Sequence, residues 1–159
     1  MLAATRINEE VNAYRGRVDG LYEDIRHWIA ERRPDAVFSE MQVELSEEPT
    51  GVYNLRSLDV SVPGLPAVRF VPRGIFMVGA RGRVDVRSRL GREVLVWVEA
   101  GGPVVKTTES LGTELETEIS RPLFSNVAEG WAWSDSGRSQ ILALGPEVLW
   151  DRVLRPLTQ

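Results

Sequence analysis

No cysteine occurs anywhere in the chain. Disulfides, thiolate metal sites and cysteine nucleophiles are therefore excluded, and the composition fits a reducing cytoplasm. Histidine is almost as scarce: His27 stands alone, which rules out a multi-histidine metal centre and leaves any Ser-His-Asp triad a single possible base. Lys106 is the only lysine among 19 basic residues, and such a preference for arginine is expected from a high-GC bacterial genome as much as from selection. Long apolar runs are missing too. No stretch approaches the roughly 18 apolar residues of a membrane span, and the N-terminus meets charge at Arg6, Glu9 and Glu10 before any such run forms. The expectation is an unexported cytoplasmic protein without a membrane anchor. A phosphate loop, a G-x-G-x-x-G turn after a strand and a G-x-S-x-G elbow are also absent, so no cofactor is expected.

What remains is the make-up of one ordinary folding unit: 159 residues, 43% apolar and 26% charged, enough to bury a substantial core in a single α+β domain over 1–159. Ile7, Val11, Tyr14, Val18, Leu21, Ile25 and Trp28 recur at alternating spacings of four and three, which predicts a helix over 5–33. Thr5 suits its N-cap, Arg32, Arg33 and Pro34 its end, and Tyr22 and Ile29 widen the stripe into a face that lies on a sheet. The same spacing allows a homodimer through this helix. After Pro34 the period changes to alternation. "VFSEMQVEL", "VYNLRSLDVSV", "AVRFVP", "GIFMVG", "GRVDVRSRL", "REVLVWVEA", "VVKTTE" and "TELETEI" read as strands separated by glycine or proline, with a slip of phase between Leu55 and Leu58 that suggests a bulge. "GWAWSDSGRSQILAL" reads as a hairpin, and Pro146 opens a closing helix limited by Pro156. The predicted fold is a long N-terminal helix packed on a mostly antiparallel meander sheet of eight or nine strands, closed by a short C-terminal helix.

The pentapeptide RGRVD occurs at 15–19 and again at 81–85. The first copy falls on helical spacing and the second on alternation, so the repeat carries no duplicated function. The second copy still marks a charge boundary. Residues 69–92 hold seven arginines against Asp85, whereas residues 93–135 hold eight acids against Lys106 and Arg121. Alternation sorts Val84 and Val86 to one side of a strand and Arg81, Arg83, Asp85, Arg87 and Arg89 to the other. A three-residue turn at Leu90-Gly91-Arg92 would set Arg89 opposite Glu93, Arg83 opposite Glu99 and Trp97 across from Asp85. Exposed pairs of this kind contribute only about 0.2–1 kcal/mol each, so they neither make nor break the fold. Arg81, Arg83, Arg87 and Arg89 with Trp97 form the candidate surface for an acidic partner, and Glu114, Glu116 and Glu118 of "TELETE" the candidate surface for a basic one.

Enzyme signatures fare less well. In "PDAVFSEMQ", Asp35 and Glu40 stand five residues apart on one strand, about 17 Å and on opposite faces, too far to share a magnesium ion. "GRVDVRSRLGREVLVWVEAGG" resembles the G-x-x-D hairpin and acidic-x-lysine strand of restriction-endonuclease-like nucleases. The resemblance covers about twenty residues and implies Asp85 and Glu99 as metal ligands. The family lysine is missing, because Glu99 or Gly101 stands in its place and Lys106 lies beyond the strand, which implies a degenerate, inactive relative. His27 reads as a surface or packing residue, and Trp131 and Trp133 as core beneath the helix that carries Trp150. The net charge of −4 weighs against general nucleic-acid binding. The expected function is a non-enzymatic bacterial protein-interaction domain of the immunity, adaptor or assembly-factor type, without metal or cofactor. The alternative is the degenerate nuclease-like domain built around Asp85 and Glu99.

Overall fold

The three–four spacing produces one helix, α1 (Leu2–Arg32), in a computed structural model that describes residues 2–76, 80–99, 104–111, 115–122, 128–135 and 140–159. Side chains are described for 5–76, 80–99, 128–135 and 140–159. Val11, Tyr14, Val18, Leu21, Tyr22, Ile25 and Ile29 are all buried on the face turned to the sheet. Each buried aliphatic side chain among them contributes about 1.5–3 kcal/mol. Their sum outweighs the roughly 1 kcal/mol that each of Gly16 and Gly20 costs a helix interior. The helix starts at Leu2, so Thr5 lies inside it and is not its N-cap. The outward face carries Asn12, Asp19, Glu23, Asp24, His27 and Glu31, all exposed. His27 is on the surface, 3.1 Å from Glu31 one turn along.

The alternating segments form β1 (Val37–Glu47), β2 (Gly51–Ser61), β3 (Val68–Gly74), β4 (Arg83–Ser88), β5 (Gly91–Val98), β6 (Val104–Leu111), β7 (Leu115–Pro122), β8 (Gly130–Asp135) and β9 (Gln140–Ala143). The main sheet has seven strands in the order β1-β2-β3-β4-β5-β8-β9, with every described pairing antiparallel. This corrects the expected meander of eight or nine. β6 and β7 pair with each other as a separate two-stranded ribbon, and β8 takes the place beside β5 that a simple meander would give β6. Alternation identifies a strand but does not name its neighbour.

The closing helix runs through α2 (Pro146–Val148), a π-helical stretch (Leu149–Leu154) and α3 (Arg155–Thr158). Pro156 does not end it. The wide turn before the ring, in which Arg155 N–H bonds Trp150 O five residues back, accommodates a residue that has no donor of its own. Leu149, Val153, Leu154 and Leu157 join the same apolar cluster as the α1 residues, together with Val84, Val86 and Leu95. Both helices therefore cover one face of the sheet, and Arg83, Asp85 and Arg87 point from the other.

The β1–β2 hairpin behaves unlike the rest of the sheet. Its ladder runs unbroken from Val37↔Ser61 to Glu47↔Gly51, so the slip of phase in β2 is no bulge in that pairing. Tyr53, Leu55 and Ser57 are buried near the tip and Leu58 and Val60 near the base, on opposite faces of the same strand. β2 bonds β3 only from Leu58 to Val60; beyond that the hairpin leaves the sheet and buries its other side. A carboxylate fastens the tip. Glu47 Oε1 accepts from the N–H groups of Ile75 and Phe76, each at 3.0 Å, and Oε2 accepts from the Tyr53 hydroxyl. Gly74, with φ +148°, leaves room for this, since a Cβ there would lie 2.6 Å from Glu47 Oε1. The expected strand "GIFMVG" fails at this point: Ile75 and Phe76 give their N–H groups to Glu47 instead of to a neighbouring strand, and 77–79 lie outside the described residues.

Candidate functional site

On the face away from the helices, cross-strand pairing lines up two rows of side chains. One row is Asp59, Arg69, Arg87 and Arg92, and the next is Val71, Asp85, Val94, Ser134 and Ile141. Asp85 is fully buried, with Val71 and Val94 as its cross-strand partners. Four guanidiniums close over it. Arg83 Nε donates to Oδ1 at 2.6 Å, while Arg73, Arg87 and Arg92 stand 3.4, 3.6 and 3.9 Å from Oδ2. None of these three is aligned for a hydrogen bond to Oδ2. One negative charge thus organises four positive ones, whose side chains keep 31–54% of their surface exposed. Burying a carboxylate is costly unless it is paired, and here pairing is supplied in excess. The result is an outward field of about three positive charges. Arg69 adds none, because Asp59 grips it at 2.7 and 3.2 Å.

The backbone that carries the cluster is fixed from below. Tyr14, fully buried on α1, donates its hydroxyl to Arg83 O at 2.5 Å and accepts from Gly74 N at 3.3 Å, so it spans the irregularity in the β3–β4 ladder between Pro72 and Gly74. Its ring lies against Gly82, where a Cβ would meet it at 2.9 Å.

The expected register between β4 and β5 is corrected by three residues. Arg83 pairs with Val96, Asp85 with Val94 and Ser88 with Gly91, around a two-residue turn of Arg89 and Leu90. Ser88 shortens the turn, because its Oγ accepts from Leu90 N–H at 3.0 Å and donates to Leu157 O at 2.6 Å. An odd shift exchanges faces. Trp97 therefore sits on the helix-covered side opposite Trp131, away from Asp85, with Arg17 stacked 4.8 Å from its ring centre. Its indole N–H is buried without an acceptor among the described residues. Glu93 lies opposite Val86 and accepts from Trp133 Nε1 at 2.9 Å. Arg89 is exposed in the turn, and Arg81 pairs with Glu99 at 3.5 Å. Of the sequence-derived candidates, Arg83 and Arg87 are brought together, and Arg73 and Arg92 join them unanticipated. Glu116 and Glu118 lie on β7 opposite Ser110 and Thr108, and Glu114 lies outside the described residues.

Asp85 and Glu99 are not assembled into a metal site. Glu99 follows the end of β5, five residues beyond the partner of Asp85, which is about 17 Å along an extended chain. Each acid already holds arginine, and among the described residues no group of three potential ligands could hold a metal ion. A wide polar cleft of about 790 Å³ separates α1 from the β1–β2 hairpin. Its charges are largely engaged internally: Arg26 and Arg56 reach Glu40 at 3.3 and 3.8 Å, and Arg15 bonds Asn54 O and Asn12 Oδ1. No described helix is long and apolar enough to cross a membrane. No protein-family model, curated protein or solved structure matches the chain.

Proposed function

We propose that the chain is a non-enzymatic protein-interaction domain, of the immunity, adaptor or assembly-factor type, that docks an acidic segment of a partner protein on the outer face of β3–β5. The observation that carries this reading is the convergence of Arg73, Arg83, Arg87 and Arg92 on the single buried carboxylate of Asp85. A face needed only for stability gains little from half-exposed guanidiniums. A face that attracts a carboxylate-rich partner gains both encounter rate and register from them, because guanidinium forks match carboxylates two bonds at a time. Asp85 limits the mutual repulsion of the four and holds them in one place before a partner arrives.

The test is calorimetric titration with a short glutamate-rich peptide at low salt and again at about 0.15 M, where fields are screened beyond about 8 Å. Binding is expected at low salt and weaker at high salt. The triple reversal Arg73→Glu, Arg87→Glu, Arg92→Glu, which spares the Arg83–Asp85 bond, lowers affinity more than about tenfold, a difference of about 1.4 kcal/mol. A triple variant that keeps the parent's melting temperature and binds equally well sinks the proposal. So does a DNA duplex that competes as effectively as the peptide.

A further inference from the structure

The helix-covered face carries a second feature, independent of the basic cluster. At the end of the sheet where β5 meets β8, a cleft of about 230 Å³ is lined by Asp24 and Trp28 of α1, Trp97 of β5, and Glu129 and Trp131 at the start of β8. Trp97 and Trp131 are cross-strand partners with ring centres 5.7 Å apart and planes at 81°, so they form two walls at a near right angle. Trp131 is fixed by its indole N–H, which donates to Arg17 O at 3.0 Å. Trp28 supplies a third indole, and the exposed carboxylates of Asp24 and Glu129 contribute negative charge.

Indole faces carry negative quadrupole density and attract cations. Arg17, which is not among the residues lining the cleft, already occupies such a position over Trp97 at 4.8 Å. The cleft is smaller than the roughly 300–1,000 Å³ of pockets that enclose drug-sized ligands, so its occupant is a head group. The walls also select the kind of cation. The indole faces offer no acceptor, so the N–H donors of a primary ammonium or guanidinium can be met here only by the exposed carboxylates of Asp24 and Glu129, and any donor turned to the three indoles would be stranded. A fully alkylated ammonium has none to strand. We propose that this cleft binds the quaternary ammonium head group of a small organic cation.

Choline chloride is the probe, titrated into the full chain while the five indole N–H signals are followed by heteronuclear NMR. The signals of Trp28, Trp97 and Trp131 are expected to shift saturably while those of Trp133 and Trp150 stay in place. Ethanolamine, which keeps the charge but restores the N–H donors, is expected to bind about tenfold more weakly, as is 3,3-dimethylbutan-1-ol, which keeps the shape but lacks the charge. The double variant Asp24→Asn, Glu129→Gln alters exposed residues only and weakens choline severalfold at an unchanged melting temperature. No shift with choline overturns the proposal, as do equal shifts of all five indoles. Equal affinity for the neutral isostere, or unaltered choline affinity in the double variant, overturns it too.

Discussion

Glu47, half-buried at the hairpin tip, and Asp85, fully buried at the centre of β4, are acids that the chain holds by different physics. Glu47 is surrounded by neutral donors: two backbone N–H groups and a tyrosine hydroxyl, all aimed at its oxygens. Asp85 is surrounded by four ions, of which only Arg83 is hydrogen-bonded. The first arrangement satisfies every partner within the molecule and leaves nothing for another molecule to use. The second leaves positive charge facing outward. Hydrogen-bonded dipoles therefore serve the fold at the hairpin, while the unevenly matched ion cluster on the sheet is the surface proposed above for recognition. The number of charged neighbours is a poor guide to how strongly a buried acid stabilises its surroundings.

The largest effect expected from this contrast appears in alkali. The three tyrosines, Tyr14, Tyr22 and Tyr53, are all buried, and burial is the main cause that raises each hydroxyl above its ordinary value of 10.0. For Tyr53 the bond to Glu47 raises it further. The folded state thus favours the neutral phenol. Its contribution is complete below about pH 10, where the unfolded phenols are also neutral, and is lost as pH rises above that value. Spectrophotometric titration should show no tyrosinate until circular dichroism reports loss of the fold, after which all three ionise in one step. A tyrosine that ionises near pH 10 in the intact fold would break the expectation; if that residue is Tyr53, the Glu47 nest is open in solution.

Substitution of the two acids sharpens the comparison directly. Glu47→Ala leaves two N–H groups and the Tyr53 hydroxyl without their acceptor, a loss of about 3 kcal/mol. Asp85→Val removes the desolvation cost of the carboxylate, continues the row of Val71 and Val94, and releases arginines that water can solvate. Its expected cost stays within about 1 kcal/mol. Urea denaturation of both variants measures the difference. Equal destabilisation by the two substitutions would show that the arginine cluster is a structural brace and would remove the contrast.

Much of this arrangement was legible in the residues and some was not, for reasons the structure makes specific. The α1 stripe, the turn at Glu48-Pro49-Thr50 and the shared face of Arg83, Asp85 and Arg87 follow from local periodicity, which depends only on backbone geometry. The partners across β4 and β5 do not, because Ser88 sets that turn through the carbonyl of Leu157, 69 residues away. The register in turn places Arg92 beside the cluster and sends Trp97 to the other face. Arg73 escaped notice because only the pairing of β3 with β4 brings it near Asp85. Glu47 lies two residues beyond the strand read in "VFSEMQVEL". Its role depends on the N–H groups of Ile75 and Phe76, which alternation assigned to a strand.

The smallest expected effect separates helix from sheet. Gly74 and Gly82 have no room for a Cβ, whereas one added at Gly16 or Gly20 on α1 meets nothing within 4 Å. Glycine in a helix interior costs about 0.5–1 kcal/mol relative to alanine, mainly through the freedom it loses on folding. Gly16→Ala and Gly20→Ala are each expected to stabilise by that amount, and the double variant by nearly the sum, since neither methyl group acquires a partner. Thermal denaturation measures the gain, and light scattering at high concentration reports the mass. If the double variant gains nothing and its mass at high concentration falls below that of the parent, the two glycines are the contact by which α1 admits a second chain, and this face of the helix is an interface, not a solvated surface.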